Sequence, residues 1–184
     1  MARLFVAVEL SDEQRLALSS VIGELKKTGS DVKWVEVENL HVTLKFIGEV
    51  DEGRIGELKG ELSSALSGKK QFAMGLRGVG CFPDWEYIKV VWAGIDEGAE
   101  ELAGLAKALD GLGFGRRDTR GFKTHVTFGR VKSARGKDAL VARMRGLSGK
   151  GFGSAEVAEV KLKKSVLTPK GPIYSDVAVF KLTR

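Results

Sequence analysis

His41-Val42-Thr43-Leu44-Lys45-Phe46-Ile47-Gly48 decides how this chain is read, because its opening tetrapeptide returns as His125-Val126-Thr127-Phe128, close to half of the 184-residue length further on. These hold the only two histidines of the sequence. Side chains alternate between the faces of an extended strand, so residues two apart point the same way. Each histidine therefore shares a face with its threonine, while Val42 with Leu44, and Val126 with Phe128, turn to the opposite one. Two imidazole–hydroxyl pairs converging from two strands supply an acid, a base and two hydrogen-bond donors. That set suits phosphoryl chemistry without a metal.

Outward from the first motif, Arg3 to Glu9 reads as a strand. Ser11 and Gln14 form a capping-box pattern that starts a helix, with Leu16, Leu18, Val21, Ile22 and Leu25 as its apolar face and Gly29 as its stop. A strand over 32–37 precedes the histidine strand, which ends at Gly48. A helix over 51–66 follows, then strands over 72–79 and 87–93, joined by the turn-forming stretch Gly80-Cys81-Phe82-Pro83-Asp84. The second half echoes the first: a helix over 98–112, the second histidine strand over 123–131 and a helix near 138–147. Strands over 157–167 and 174–182 close the chain. The spacing of the motifs predicts an internal duplication, one motif to a lobe. Hairpin-length links between several strands favour an α+β fold with antiparallel sheets over a doubly wound one.

At this length the expectation is one domain, residues 1–184, built as two small lobes on a shared core. Thirty Lys and Arg against 24 Asp and Glu give a charge of +6, which tilts the partner toward polyanions. A single cysteine, Cys81, excludes an internal disulfide and fits a reducing compartment; beside Phe82 it reads as a buried apolar residue. No secretory leader or membrane-length apolar run is visible, so a soluble, cytoplasmic monomer is expected. No cofactor is expected, and no metal: there is no His-Glu-x-x-His helix, Cys cluster or carboxylate spaced near either histidine. A Gly-x-Ser-x-Gly elbow and a phosphate-binding Gly-rich loop are equally lacking.

The two motifs resemble those that define the two-histidine (2H) phosphoesterase superfamily. Within it the chain is most similar to the RNA 2′,3′-cyclic phosphodiesterase family, also called 2′-5′ RNA ligase. The similarity runs from Arg3-Leu4-Phe5-Val6 through both motifs to Ser165-Val166-Leu167-Thr168-Pro169-Lys170-Gly171-Pro172-Ile173-Tyr174. Thr124 and Phe128 depart from the proline and leucine the family often has there, and neither removes a reactive group. The resemblance implies two pseudo-symmetric lobes whose antiparallel sheets line a central cleft, with helices outside. It implies hydrolysis of an RNA 2′,3′-cyclic phosphate end, such as a tRNA-derived one, to a 2′-phosphate. It also implies a capacity for 2′-5′ joining. By motif, His41 would be the proton donor, His125 the proton acceptor, and Thr43 and Thr127 the phosphate-binding residues.

Further residues are candidates for RNA contact. Lys45 and Lys123 share parity with the motif residues of their strands and would attract the backbone. Phe46, Phe82 and Trp34 would stack a base or pack in the core. Arg130 alternates away from His125 on a regular strand, and only a bulge would turn it toward phosphate. Two other functions fit the same residues: a phosphodiesterase for a small cyclic nucleotide phosphate, and a non-catalytic RNA-binding module.

Overall fold

The computed structural model describes residues 1–184. Nine strands and four α-helices follow one another as β1 (Ala2–Glu9), α1 (Asp12–Lys26), β2 (Val32–Trp34), β3 (His41–Val50), α2 (Ile55–Leu66), β4 (Phe72–Pro83), β5 (Ile88–Ile95), α3 (Ala99–Leu109), β6 (His125–Val131), α4 (Lys137–Arg145), β7 (Gly151–Val157), β8 (Glu159–Thr168) and β9 (Gly171–Lys181). They build two antiparallel sheets, one ordered β3-β1-β8-β9 and the other β2-β6-β5-β4-β7. Without β2 the two orders correspond strand for strand, and the histidine strands β3 and β6 occupy the same place in each.

The repeat is legible along the chain as β1-α1-β3-α2 and β5-α3-β6-α4, yet the repeats exchange helices. The first helix of each crosses to the other sheet: α1 packs on β7 and α4, and α3 packs on β3 and α2. Helices α2 and α4 stay with their own sheet side, against β9 and β4. Amphipathic helices thus cover the outer faces, and 38 buried residues drawn from both sheets and all four helices form one continuous core.

Local chemistry explains the elements. Ser11 caps α1 through the Gln14 amide, and Gln14 returns the bond to the Ser11 amide, closing the capping box. Gln14 is itself fully buried and donates to the carbonyls of Met74 and Gly153, fastening α1 to β4 and β7. The buried stripe is Gln14, Leu18, Val21, Ile22 and Leu25; Leu16, two positions off that stripe, is exposed rather than part of it. Strand β2 is shorter than the sequence suggests, because beyond Trp34 the chain turns into a 3-10 turn at Val37–Asn39. Strand β4 runs through the stretch read as a loop and ends at Pro83. Strand β7 has no counterpart in the sequence reading: Gly151 and Gly153 mask it, and it holds as an edge strand on β4, burying only Phe152 and Val157.

Candidate active site

Each histidine opens its strand, and in both the chain immediately before it fixes the ring. His41 Nδ1 lies 2.7 Å from the Asn39 carbonyl oxygen, and His125 Nδ1 lies 2.7 Å from that of Lys123. A carbonyl oxygen can only accept, so both Nδ1 atoms carry hydrogen and Nε2 is the atom that gains or loses a proton. His41 Nε2 is 2.9 Å from the Thr43 hydroxyl, placing that pair on one face as the spacing requires. His125 and Thr127 alternate in the same way on β6, with Val126 and Phe128 buried behind them.

Both strands carry a bulge at the fourth motif residue. On β3 the partner of Ala7 is Thr43 and that of Val6 is Lys45, so Leu44 is the extra residue. On β6 the partner of Trp92 is Thr127 and that of Val91 is Gly129, so Phe128 is extra. A bulge inverts the parity of everything beyond it. Phe46, opposite Phe5, and Arg130, opposite Val90, therefore return to the face of the histidines and are exposed there. Arg130 corrects the expectation from a regular strand. Its charge acts on His125 and, across the cleft, on the Tyr174 hydroxyl.

Lys45 is a second correction, from the same cause. The bulge sets it opposite core residue Val6, 7% exposed, where its ammonium donates to the Asp110 carboxylate and the Arg116 carbonyl, both at 3.0 Å. It braces the loop after α3 and is not a backbone contact for RNA. Lys123 is exposed, with its ammonium 5.6 Å from the centre of the Phe82 ring. Trp34 stacks on Phe128 and belongs to the core, whereas Phe82 meets the His125 ring edge-on at 5.0 Å.

Aromatic walls hold each imidazole. Phe5 lies 5.0 Å and Tyr174 5.5 Å from His41; Phe82 and Trp92 flank His125. Burial lowers the proton affinity of both rings below the usual histidine value. For His41 the Asn39 carbonyl opposes this, Lys163 and Arg15 add to it, and Glu9 opposes it. For His125 the Lys123 carbonyl opposes it and Arg130 adds to it. A cavity of about 230 Å³ adjoins His41, walled by Glu9, Arg15, Asn39, Lys163 and Tyr174 among others. Behind it Lys161 and Lys163 each bridge Glu9 and Asp176, a two-by-two charge network across β1, β8 and β9. Burial alone would raise the Glu9 carboxyl, but the two ammonium groups outweigh it and hold it below the ordinary range.

Sequence reasoning gave no role to Tyr174, Phe5, Trp92 or the charge network. Tyr174 sits in the closing stretch Ser165–Tyr174 already singled out, but 133 positions separate it from His41, and only the pairing of β1 with β8 and β8 with β9 joins them. No three or more His, Cys, Asp or Glu side chains converge as a metal site would need.

Comparison with known proteins gives a consistent result. The family described as LigT like Phosphoesterase matches residues 8–92 and 94–174. A protein of Methanothermobacter thermautotrophicus named RNA 2′,3′-cyclic phosphodiesterase is 42% identical over 182 residues, covering 98% of each chain. One of the same name from Archaeoglobus fulgidus is 43% identical over 182 residues, covering 97% of this chain and 99% of that one. Among solved structures, TT0787 of Thermus thermophilus superposes with a TM-score of 0.80 at 29% identity, covering 98% of this chain and 97% of that one. LigT of E. coli in its apo form has the same fold, with a TM-score of 0.78 at 24% identity over 100% of this chain and 98% of its own.

Proposed function

The chain belongs to the LigT-like phosphoesterase family, and from that premise we propose that it hydrolyses the 2′,3′-cyclic phosphate at the end of an RNA to a 2′-phosphate. One observation carries the reading: two imidazoles on equivalent strands, each with Nδ1 committed to a carbonyl, leave only Nε2 to exchange protons. Neutral His125 takes a proton from water through Nε2 as the water oxygen bonds to phosphorus. The P–O3′ bond breaks, and protonated His41 gives its Nε2 proton to the departing O3′. The product keeps phosphate on O2′ and gains a 3′-hydroxyl. The donor role of His41 follows from its motif; Glu9, its cross-strand neighbour, is the one carboxylate acting on either ring and only partly offsets the burial, Lys163 and Arg15 that favour the neutral imidazole. Arg130 supports a neutral, accepting His125. The Thr43 and Thr127 hydroxyls bond the non-bridging oxygens, where charge grows in the transition state. Arg130 faces the same anion, and exposed Phe46 offers a ring on which a base stacks. With a 5′-hydroxyl in place of water, the same proton transfers would give a 2′-5′ linkage.

The names of these two relatives favour RNA ends over a free small nucleotide. We place the protein in the cytoplasm as a monomer acting on ends such as those of cleaved tRNA; no helix is long and apolar enough to cross a membrane. The test is product analysis on a short RNA ending in a 2′,3′-cyclic phosphate, with EDTA present, for wild type, His41→Ala and His125→Ala. Conversion to the 2′-phosphate, lost in both variants, is the expected result. A 3′-phosphate product, or full activity in either variant, would refute the assignment.

A further inference from the structure

The segment between α3 and β6 contains Arg116, Arg117, Arg120 and Lys123 against two acids, Asp110 and Asp118; the four cations and Asp118 are exposed. None of the three arginines forms a salt bridge, unlike several other surface cations of the chain. The Asp118 carboxylate is occupied by the backbone amide of Arg120. Asp110 is engaged by the Lys45 ammonium, so four cations without a salt-bridge partner stand within nine residues of His125.

This segment is docked rather than loose. The buried Lys45 ammonium donates to the Asp110 carboxylate at its start and to the Arg116 carbonyl within it. Asp110 also accepts from the Asp118 amide and is held below the ordinary carboxylate range chiefly by Lys45. Phe114 is buried, with the Arg54 guanidinium 4.6 Å from the centre of its ring. Gly115, at φ +75°, lies so close to β3 that a Cβ there would meet the Phe46 carbonyl oxygen at 2.7 Å. The chain thus leaves the outer side of the four-stranded sheet, crosses the edge of β3 beside Phe46 and reaches His125. The cations follow Gly115 on the stretch that joins the edge of β3 to the start of β6, where the Lys123 ammonium lies 5.6 Å from the centre of the Phe82 ring.

We infer that this arginine-bearing rim holds the single-stranded RNA on the 5′ side of the reacting terminal nucleotide, through its phosphates. The inference rests on the function proposed above and deepens it, since a terminal cyclic phosphate alone reaches only the cleft floor. Phosphates follow one another along the strand, and a row of arginines on a fixed backbone matches that repeat with bidentate donors. Lys45 contributes by holding the rim in place, so a residue read in sequence as an RNA contact acts one step removed.

The experiment compares two substrates with one variant, Arg116→Gln/Arg117→Gln/Arg120→Gln, whose replaced side chains are all exposed. One substrate is a ten-nucleotide RNA with a 2′,3′-cyclic phosphate end, the other a nucleoside 2′,3′-cyclic phosphate. For the oligonucleotide, kcat/KM of the variant falls about tenfold or more near 0.1 M salt, and its log–log salt slope becomes shallower by about 2, as expected for losing three contacts to a single strand. The mononucleotide is turned over as by wild type, which also certifies folding. Equal oligonucleotide kinetics and salt slope in variant and wild type would overturn the inference while leaving the proposed function intact. Should wild type turn over neither substrate, the function would fall. The rim is then judged by fluorescence anisotropy of labelled single-stranded RNA, where unchanged binding by the variant refutes it.

Discussion

With both Nδ1 atoms committed to carbonyls, a single proton at Nε2 decides whether each imidazole is an acid or a base, so the pH profile reads the two rings directly. The proposed mechanism needs His125 neutral and His41 protonated. Burial lowers the proton affinity of both. His125 therefore loses its proton below the ordinary value of about 6.5, and His41 in the free enzyme loses its own on the same side. A bell in kcat/KM centred on the acid side of neutrality is expected in EDTA buffer, with the kcat optimum displaced upward because a bound phosphate anion favours the imidazolium. A flat profile between about pH 5 and 8 would exclude paired imidazoles. Arg130→Gln is expected to lower kcat/KM about 100-fold through one lost contact to the developing charge. It also moves the acidic limb upward, since the arginine depresses the proton affinity of His125; steady-state kinetics across the same buffers checks both shifts. At this scale the shared face of each histidine–threonine pair was legible because alternation on a strand is a strict rule over three residues. Arg130 and Lys45 were not, because one extra residue between them and the histidines inverts their faces.

Elements were legible where their signal is local and lost where it depends on a neighbour. The Ser11–Gln14 capping box and the period of α1 are written in adjacent residues. The end of β4 is not: Gly80-Cys81-Phe82-Pro83 carries turn chemistry, yet pairing with β5 keeps it extended as far as Pro83. Gly80 shows why a glycine stands in that strand. A Cβ there would meet the six-membered ring of Trp92 at 2.3–2.8 Å, and Trp92 in turn packs beside Phe82 and His125. Gly80→Ala is therefore expected to displace the indole and the wall of the His125 site. The stability loss should be about 1–3 kcal/mol, as for other overpacked sites. Turnover should fall by more than the lost folded fraction, while the circular dichroism spectrum stays native. Denaturant melts beside kinetics on the folded fraction measure the two effects separately; unchanged turnover would remove Trp92 from the positioning of His125.

The exchange of α1 and α3 between repeats governs the molecule as a whole, and nothing in an amphipathic pattern announces it. A buried stripe says that a helix needs a partner, not which sheet supplies it. The sequence spacing pointed to two lobes on a shared core; what it left out is that each sheet draws its helical cover from both repeats. Neither half then has a complete interior of its own, and residues 1–184 should unfold as one unit. The three tryptophans offer a clean probe: Trp34 and Trp92 lie in β2 and β5 and Trp85 in the β4–β5 turn, all on the five-stranded side. Leu162, fully buried in β8, belongs to the other sheet. Leu162→Ala should cost about 2–5 kcal/mol. If the core is shared, the tryptophan fluorescence midpoint in denaturant drops by the same amount as the far-ultraviolet circular dichroism midpoint, although every tryptophan belongs to the opposite sheet. A fluorescence midpoint left at the wild-type value, with dichroism splitting into two transitions, would mean that each sheet folds on its own and that the exchanged helices are only loosely seated.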